Sequence, residues 1–300
     1  MPEYILGINA YHGDAAAAIL KDGKIVAAVE EERFNRVKHC AGFPVQSIRF
    51  CLEAAGITVD RVDHIGISRD PSAHLHKKVV FAANRAARQL AMSAGVGNSS
   101  KIKSSVALMV EAGGGSGDNH AKEKRNGAGI FGQIADRLGN AAKIRDLKDE
   151  LARVFSVPKT HIKPQVHHVE HHRAHLASSF YVSPFESAAL LSIDGFGDFI
   201  STMWAVGEGN SVEVLGQVEY PHSVGIVYTA TTQFLGFPHY GDEGKVMGLA
   251  PYGKPRFIQE FRSIIRTEER GQFRINLDYF RHHAEGVEMT WDHGSPVIGR

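Results

Sequence analysis

Cysteine is nearly absent from this 300-residue chain, with only Cys40 and Cys51 present. Two thiols supply neither a disulfide framework nor a thiolate metal cage, and a reducing cytoplasm is the default location. Long apolar runs are missing as well. No stretch approaches the roughly 20 residues that span a bilayer, so no membrane partner is expected. The N-terminus, Met1-Pro2-Glu3-Tyr4-Ile5, lacks a basic segment followed by an apolar one, and no secretory signal is expected. Net charge is only +1, which argues against bulk nucleic-acid binding. The P-loop and dinucleotide fingerprints are absent too, which disfavours those folds.

What is present fits a globular chain with one large domain or two lobes: 43% hydrophobic and 22% charged residues. The near-zero charge conceals an asymmetry. Between Pro71 and Pro164 there are 16 Lys/Arg against 7 Asp/Glu, which leaves the remainder of the chain acidic. A solvated surface insertion and a basic face for an anionic partner both fit. Histidine is abundant, at 17 residues, so any single histidine pattern is weakly informative.

Periodicity predicts strands at Tyr4–Ala10 and Ala15–Leu20 and, past the Asp22-Gly23 turn, at Lys24–Glu30. A helix over Pro44–Ala55 follows, with Ile48, Cys51, Leu52 and Ala55 on its apolar face and Gly56 at its end, then a strand over Asp63–Ser68. This order suits an α/β ribonuclease-H-like, actin-like ATPase fold: a first lobe over residues 1–70 and a partial second lobe over 165–300. Residues 71–164 read as a basic helical insertion, with helices over Ala83–Ala94 and Ile130–Phe155 around the glycine-rich Ala112–Asp118. Beyond Gln165 the pattern predicts a helix over His171–Tyr181 and strands at Ala188–Asp194, Phe199–Val206 and Val212–Tyr220. A helix over Val224–Leu235 and a glycine-rich run from Gly236 to Gly253 complete it.

Three constellations carry chemistry. His171 and His175 lie one helical turn apart, and Asp194 ends the next predicted strand, a two-histidine, one-carboxylate set suited to Fe(II) or another divalent transition ion. Of the three His-x-x-x-His pairs in the chain, only this one has such a carboxylate; surface or core histidines are the alternative reading. The second constellation is a pair of glycine turns, His12-Gly13-Asp14 and Asp194-Gly195-Phe196-Gly197-Asp198. Their backbone N–H groups can approach phosphate, although each turn alone reads equally as an ordinary hairpin. The third is Gly241-Asp242-Glu243-Gly244-Lys245, where Gly244 and Lys245 can contact phosphate or form an exposed loop. His12, after the first strand, is placed to act as a general base. Glu30-Glu31-Glu32-Arg33 reads as a solvated strand end.

Several segments together resemble the O-carbamoyltransferase family of nodulation-factor and antibiotic-tailoring enzymes. They are Ile5–Ile8 through His12–Ala17, Val29–Phe34, His171–Ser178, Asp194–Asp198 and Gly244–Gly253. The resemblance implies an N-terminal domain like the ATPase of tRNA threonylcarbamoylation, and a C-terminal adenylate-forming domain that is expected to be absent from these 300 residues. It further implies that carbamoyl phosphate and ATP give a carbamoyl-adenylate, whose carbamoyl group passes to a hydroxyl of a sugar-like or secondary-metabolite acceptor. His171, His175 and Asp194 would bind the metal, and His12 would activate the acceptor oxygen. A further acidic metal ligand of the family has no counterpart before Arg300, so the chain is expected to be incomplete as an enzyme. A homodimer is compatible with the sequence. A sugar-kinase-like phosphotransferase and a non-catalytic nucleotide-binding fragment are the competing readings.

Overall fold

The computed structural model describes residues 1–11, 13–81, 83, 146–237, 239 and 241–285. Alternation of apolar side chains builds the first sheet from β1 (Tyr4–Asn9), β2 (Ala16–Lys21) and β3 (Lys24–Glu30), paired antiparallel in sequence order. A short helix α1 (Glu32–Asn35) and the longer α2 (Val45–Ala55) follow. Strand β4 (His64–Ile67) then runs parallel to β1, with Leu6 beside Ile65. Helix α3 (Leu147–Phe155) leads to β5 (Gln165–His168), parallel to β4, and the finished order is β3-β2-β1-β4-β5. The run of three strands, helix and strand fits the expected ribonuclease-H-like lobe. The lobe extends beyond residues 1–70, however: α3 comes from the stretch expected as an insertion and β5 from the start of the expected second lobe.

Leu6, Ile19, Ile48, Ile65, Leu147 and Leu151 are fully enclosed between this sheet and its helices. Each contributes about 1.5–3 kcal/mol by leaving water. Pro44, at the start of α2, offers no side-chain cap. Glu31 replaces it, accepting hydrogen bonds from the Gln46 and Ser47 N–H groups at 3.1 and 2.8 Å and from Ser47 Oγ at 2.7 Å. The acidic run after β3 is therefore only partly a solvated strand end, because its second glutamate is a buried helix cap. Gly56 closes the helix at φ +66°, a conformation that favours glycine.

The second sheet is an antiparallel meander of β6 (Ser187–Gly197), β7 (Ile200–Glu208) and β8 (Ser211–Glu219). Helix α4 (His171–Phe180) covers it with Leu176 and Phe180. The Phe180 ring lies directly on Gly207, where a Cβ would come within 2.7 Å of the ring. Helix α5 (Val224–Phe234), helix α6 (Glu243–Leu249), helix α7 (Ile258–Ile264) and a ribbon of β9 (Ile265–Thr267) and β10 (Phe273–Ile275) complete the described chain, apart from a last short turn of helix. The run Gly236–Gly253, expected as a glycine-rich stretch, thus contains a helix.

The chain separates into two compact units, Met1–Ala73 with Ile144–Arg300, and His74–Lys143. All the elements above lie in the first. The expected helix at Ala83–Ala94, past its first residue, and the glycine stretch Ala112–Asp118 fall outside the described residues. So does the first part of the helix expected over Ile130–Phe155. Among the described residues no helix is long and apolar enough to cross a membrane.

Candidate metal centre

The C-terminal ends of β1, β4 and β5 lie side by side because these strands are parallel. In open α/β sheets this edge is where ligands bind. β5 feeds straight into α4, so His171 is the first helical residue at that edge. Two carboxylates hold the helix start. Glu170 accepts the N–H groups of His172 and Arg173 at 3.0 and 2.9 Å, and Asp198 Oδ2 accepts the His171 N–H at 3.2 Å. The same Asp198 oxygen accepts the Asp70 N–H at 2.8 Å, tying the turn of the second sheet to the segment after β4.

One turn into α4, the His175 ring meets that of His171. Their Nε2 atoms are 3.1 Å apart, His171 Nε2 is 2.7 Å from Asp194 Oδ2, and His175 Nε2 is 3.8 Å from that same oxygen. With ligand bonds of about 2.1 Å, donors on adjacent vertices of a coordination polyhedron stand about 3.0–3.4 Å apart, and the three distances bracket that range. Two imidazole nitrogens and a carboxylate on one point fit a divalent transition ion. His171 is the ring that hydrogen-bonds the carboxylate, and His175 meets His171 with Asp194 just beyond it. The hydrogen bond of His171, and then the neighbouring His175 ring, hold the Asp194 carboxyl far below the usual carboxylate range. The nearby Asp194 carboxylate in turn raises His175.

The surrounding backbone explains the motif's glycines. Strand β6 continues through Gly197, and Asp198 and Phe199 make the reversal at φ +47° and +77°. The segment Asp194–Asp198, expected as the turn itself, is therefore mostly strand. Gly197 is required because the His171 ring occupies the space of its side chain: a Cβ would lie 2.1 Å from the ring. Gly195 has nothing within 4 Å of the corresponding point. Ser223, the N-cap of α5, donates to the carbonyls of Asp194 and Gly195 at 3.1 and 2.6 Å. Gly225 lets α5 approach so closely that a Cβ there would sit 2.3 Å from the Asp194 carbonyl oxygen. Neither residue was flagged by sequence; the Ser-x-Gly start of an apolar helix was the available signal.

The other histidine pairs divide cleanly. His167 and His168 belong to β5, so neither shares a helical face with His171 or His172. His172 is a core histidine. Its Nε2–H donates to the Ile200 carbonyl at 2.9 Å, Nδ1 accepts from Ser192 Oγ at 2.8 Å, and burial pushes its pKa down to about 4.

The first glycine turn is held by Asn9, whose Nδ2–H donates to the Asp14 carbonyl at 2.8 Å while its Oδ1 accepts from Ser68 Oγ at 2.8 Å. Gly13 precedes Asp14, which adopts φ +62°. His12 lies outside the described residues. The Asp14 carboxylate accepts a hydrogen bond from His39 Nδ1 at 2.8 Å, a partner 25 positions away that the sequence reading did not identify. In the third constellation Gly244 and Lys245 are helical residues of α6. Lys245 Nζ pairs with Asp242 at 2.6 Å, which lowers the Asp242 carboxyl pKa. Glu243 accepts from Thr229 Oγ1 at 2.5 Å, fastening α6 to α5. The turn at Gly241, at φ +87°, abuts the His39 ring, and a Cβ there would be 2.5 Å from its Nε2.

Residues 4–294 match the family model described as carbamoyltransferase N-terminus. An uncharacterised protein of Synechocystis is 35% identical over 96% of this chain and 41% of its own length. The nodulation protein NolNO of Sinorhizobium fredii is 32% identical over 90% of this chain and 32% of its own. The chain thus spans well under half the length of these relatives. Among solved structures, YeaZ from Pseudomonas aeruginosa overlaps 73% of this chain and 68% of its own, with a TM-score of 0.31 and 15% identity.

Proposed function

The chain belongs to the carbamoyltransferase N-terminal family, and from that premise we propose that it transfers a carbamoyl group from a carbamoyl-adenylate to an acceptor hydroxyl. The adenylate would come from carbamoyl phosphate and ATP, and the acceptor would be a sugar-like molecule or secondary metabolite. The observation that carries this reading is the convergence of His171, His175 and Asp194 at the carboxyl edge of the sheet, with donor separations of 2.7 to 3.8 Å.

In this reading His171, His175 and Asp194 hold a divalent transition ion, Fe(II) being the best match to the donor set. When bound, it supplies Lewis-acid stabilisation for phosphate oxygen charge. The protein's own residues do the rest. Asp194 stays ionised across the neutral range and orients both imidazoles. Asp198 braces the start of α4 against the segment after β4, fixing where His171 stands. Lys245, steadied by Asp242, offers a positive charge for phosphate, and the backbone at Gly13, Asp14, Gly195, Gly197 and Gly244 can approach it closely. His12 takes the acceptor proton. The acceptor oxygen then bonds to the carbamoyl carbon, the bond from that carbon to the adenylate oxygen breaks, and AMP leaves.

The nucleotide product tests this. The chain, supplied with an adenylate-forming carbamoyltransferase domain, carbon-14 carbamoyl phosphate, ATP and a panel of polyhydroxylated acceptors, should label an acceptor and yield AMP. The His171→Ala variant should reduce labelling at least 100-fold. ADP with a phosphorylated acceptor would indicate a kinase-like reaction. Nucleotide binding without turnover would indicate a non-catalytic fragment.

A further inference from the structure

We propose that Asp14, Glu32 and His39 form a second divalent-cation site, of the magnesium or manganese class, separate from the three donors on α4 and β6. Their donor atoms all lie within 4.8 Å of one another, and all three residues are partly buried. The donor set differs from that of the first site: two carboxylates and one imidazole, against two imidazoles and one carboxylate. Oxygen-rich sets suit magnesium and manganese, whereas imidazole-rich sets suit iron and zinc. Three protein donors leave three octahedral positions for water or phosphate oxygen. With bonds of about 2.1 Å, adjacent octahedral donors stand about 3.0 Å apart. His39 Nδ1 and Asp14 already stand at 2.8 Å, and the Glu32 oxygen, within 4.8 Å of both, would close on them by less than about 2 Å.

The three donors come from three segments that are already fixed. Asp14 sits in the turn between β1 and β2, its carbonyl held by Asn9. The loop carrying His39 is zipped onto that turn by two backbone bonds, Tyr11 N–H to Gly42 O and Ala15 N–H to Cys40 O, both 3.0 Å. Glu32 Oε2 accepts the His39 N–H at 3.1 Å, which anchors the start of α1 to the same loop. The other Glu32 oxygen is 3.6 Å from Arg33, whose guanidinium lies closer to Glu30, at 3.1 Å, and among the described residues no ion pair joins Arg33 to Asp14. His39 presents Nδ1 to Asp14 at 2.8 Å. A cation entering there replaces the Nδ1 proton. This turn is also one of the two read as phosphate-binding, so a cation here would stand where a nucleotide phosphate can complete its shell.

Manganese(II) alone is the probe, read by electron paramagnetic resonance in the His171→Ala background, which disables the first site. That protein should bind one manganese ion per chain. Adding Asp14→Asn, or separately Glu32→Gln, should weaken binding at least tenfold, with melting temperatures showing that each variant is folded. As a readout needing no variant, substoichiometric manganese should broaden the His39 imidazole signals of the wild-type chain. No manganese bound to the His171→Ala chain, undiminished binding in a folded Asp14→Asn chain, or unbroadened His39 signals would overturn the proposal. None of these outcomes depends on carbamoyl transfer, so a failure here is distinct from a failure of the proposed function.

Discussion

The two strand-turn-strand units, β1–β2 and β6–β7, solve the same problem with different materials. Each reverses at an aspartate with positive φ, Asp14 at +62° and Asp198 at +47°. Each brings a histidine against a carboxylate, His39 on Asp14 and His171 on Asp194, at 2.8 and 2.7 Å. In the first unit the histidine rides on a loop zipped to the turn, and the proposed donors are mainly oxygen. In the second a helix delivers two imidazoles one turn apart, and a glycine gives up its side-chain space to admit one of them. A shared scaffold therefore leaves the donor chemistry to the segment packed beside it.

The sharpest way to break this comparison lies within one motif. Gly197→Ala places a methyl group inside the His171 ring position, and it should lower transition-metal affinity at least 100-fold. Gly195→Ala meets no neighbour and should leave affinity within about threefold; metal titration of both variants checks the split. If both behave alike, the second unit's dependence on close helix approach is wrong.

A smaller effect separates the two cores. Ile65, on β4 of the five-stranded sheet, is fully enclosed, whereas Leu190 on β6 is slightly less so, at 8% exposure. Chemical denaturation should show Ile65→Ala costing about 4 kcal/mol and Leu190→Ala about 2–3 kcal/mol.

Acid should also act on the second part of the molecule more than the first. His282 is buried, its Nε2–H donates to the Pro221 carbonyl at 2.8 Å, and burial lowers its pKa to about 4. A depressed histidine favours folding fully above the unfolded value of about 6.5, and that advantage fades as pH falls from there towards 4. By pH 5 the loss from His282 alone should be about 2 kcal/mol. Melting temperatures at pH 7 and pH 5 should therefore differ more for wild type than for His282→Gln.

The smallest effects compare two helix caps made by carboxylates. Removing Glu170 from the start of α4, or Glu31 from the start of α2, should each cost about 1 kcal/mol. Of the two, only Glu170→Ala should weaken transition-metal binding by His171, His175 and Asp194, because His171 is the residue next to that cap.

Much of this architecture was legible in the sequence. Alternation placed β1 to β3, the Pro44 and Gly56 boundaries framed α2, and helical spacing put His171 and His175 on one face. Other features depend on long-range packing. β5 carries Gln165, His167 and His168, and it is a strand only because β4 lies alongside. The glycines of Asp194–Asp198 signal a turn locally, yet Gly197 serves a close approach to a ring 26 positions earlier in the chain. Gly244 and Gly248 argue against a helix, and α6 is held by the Asp242–Lys245 and Thr229–Glu243 contacts instead. The partnership of Asp14 with His39 has no local signature at all.

The central claim is that α4 and β6 together build a transition-metal site. Metal analysis of the chain purified without oxygen, alongside His171→Ala, tests it most directly. One transition-metal ion per wild-type chain, lost in the folded variant, is the predicted result. A wild-type chain that holds no transition metal even after reconstitution with Fe(II), or a folded variant that keeps its ion, would contradict it.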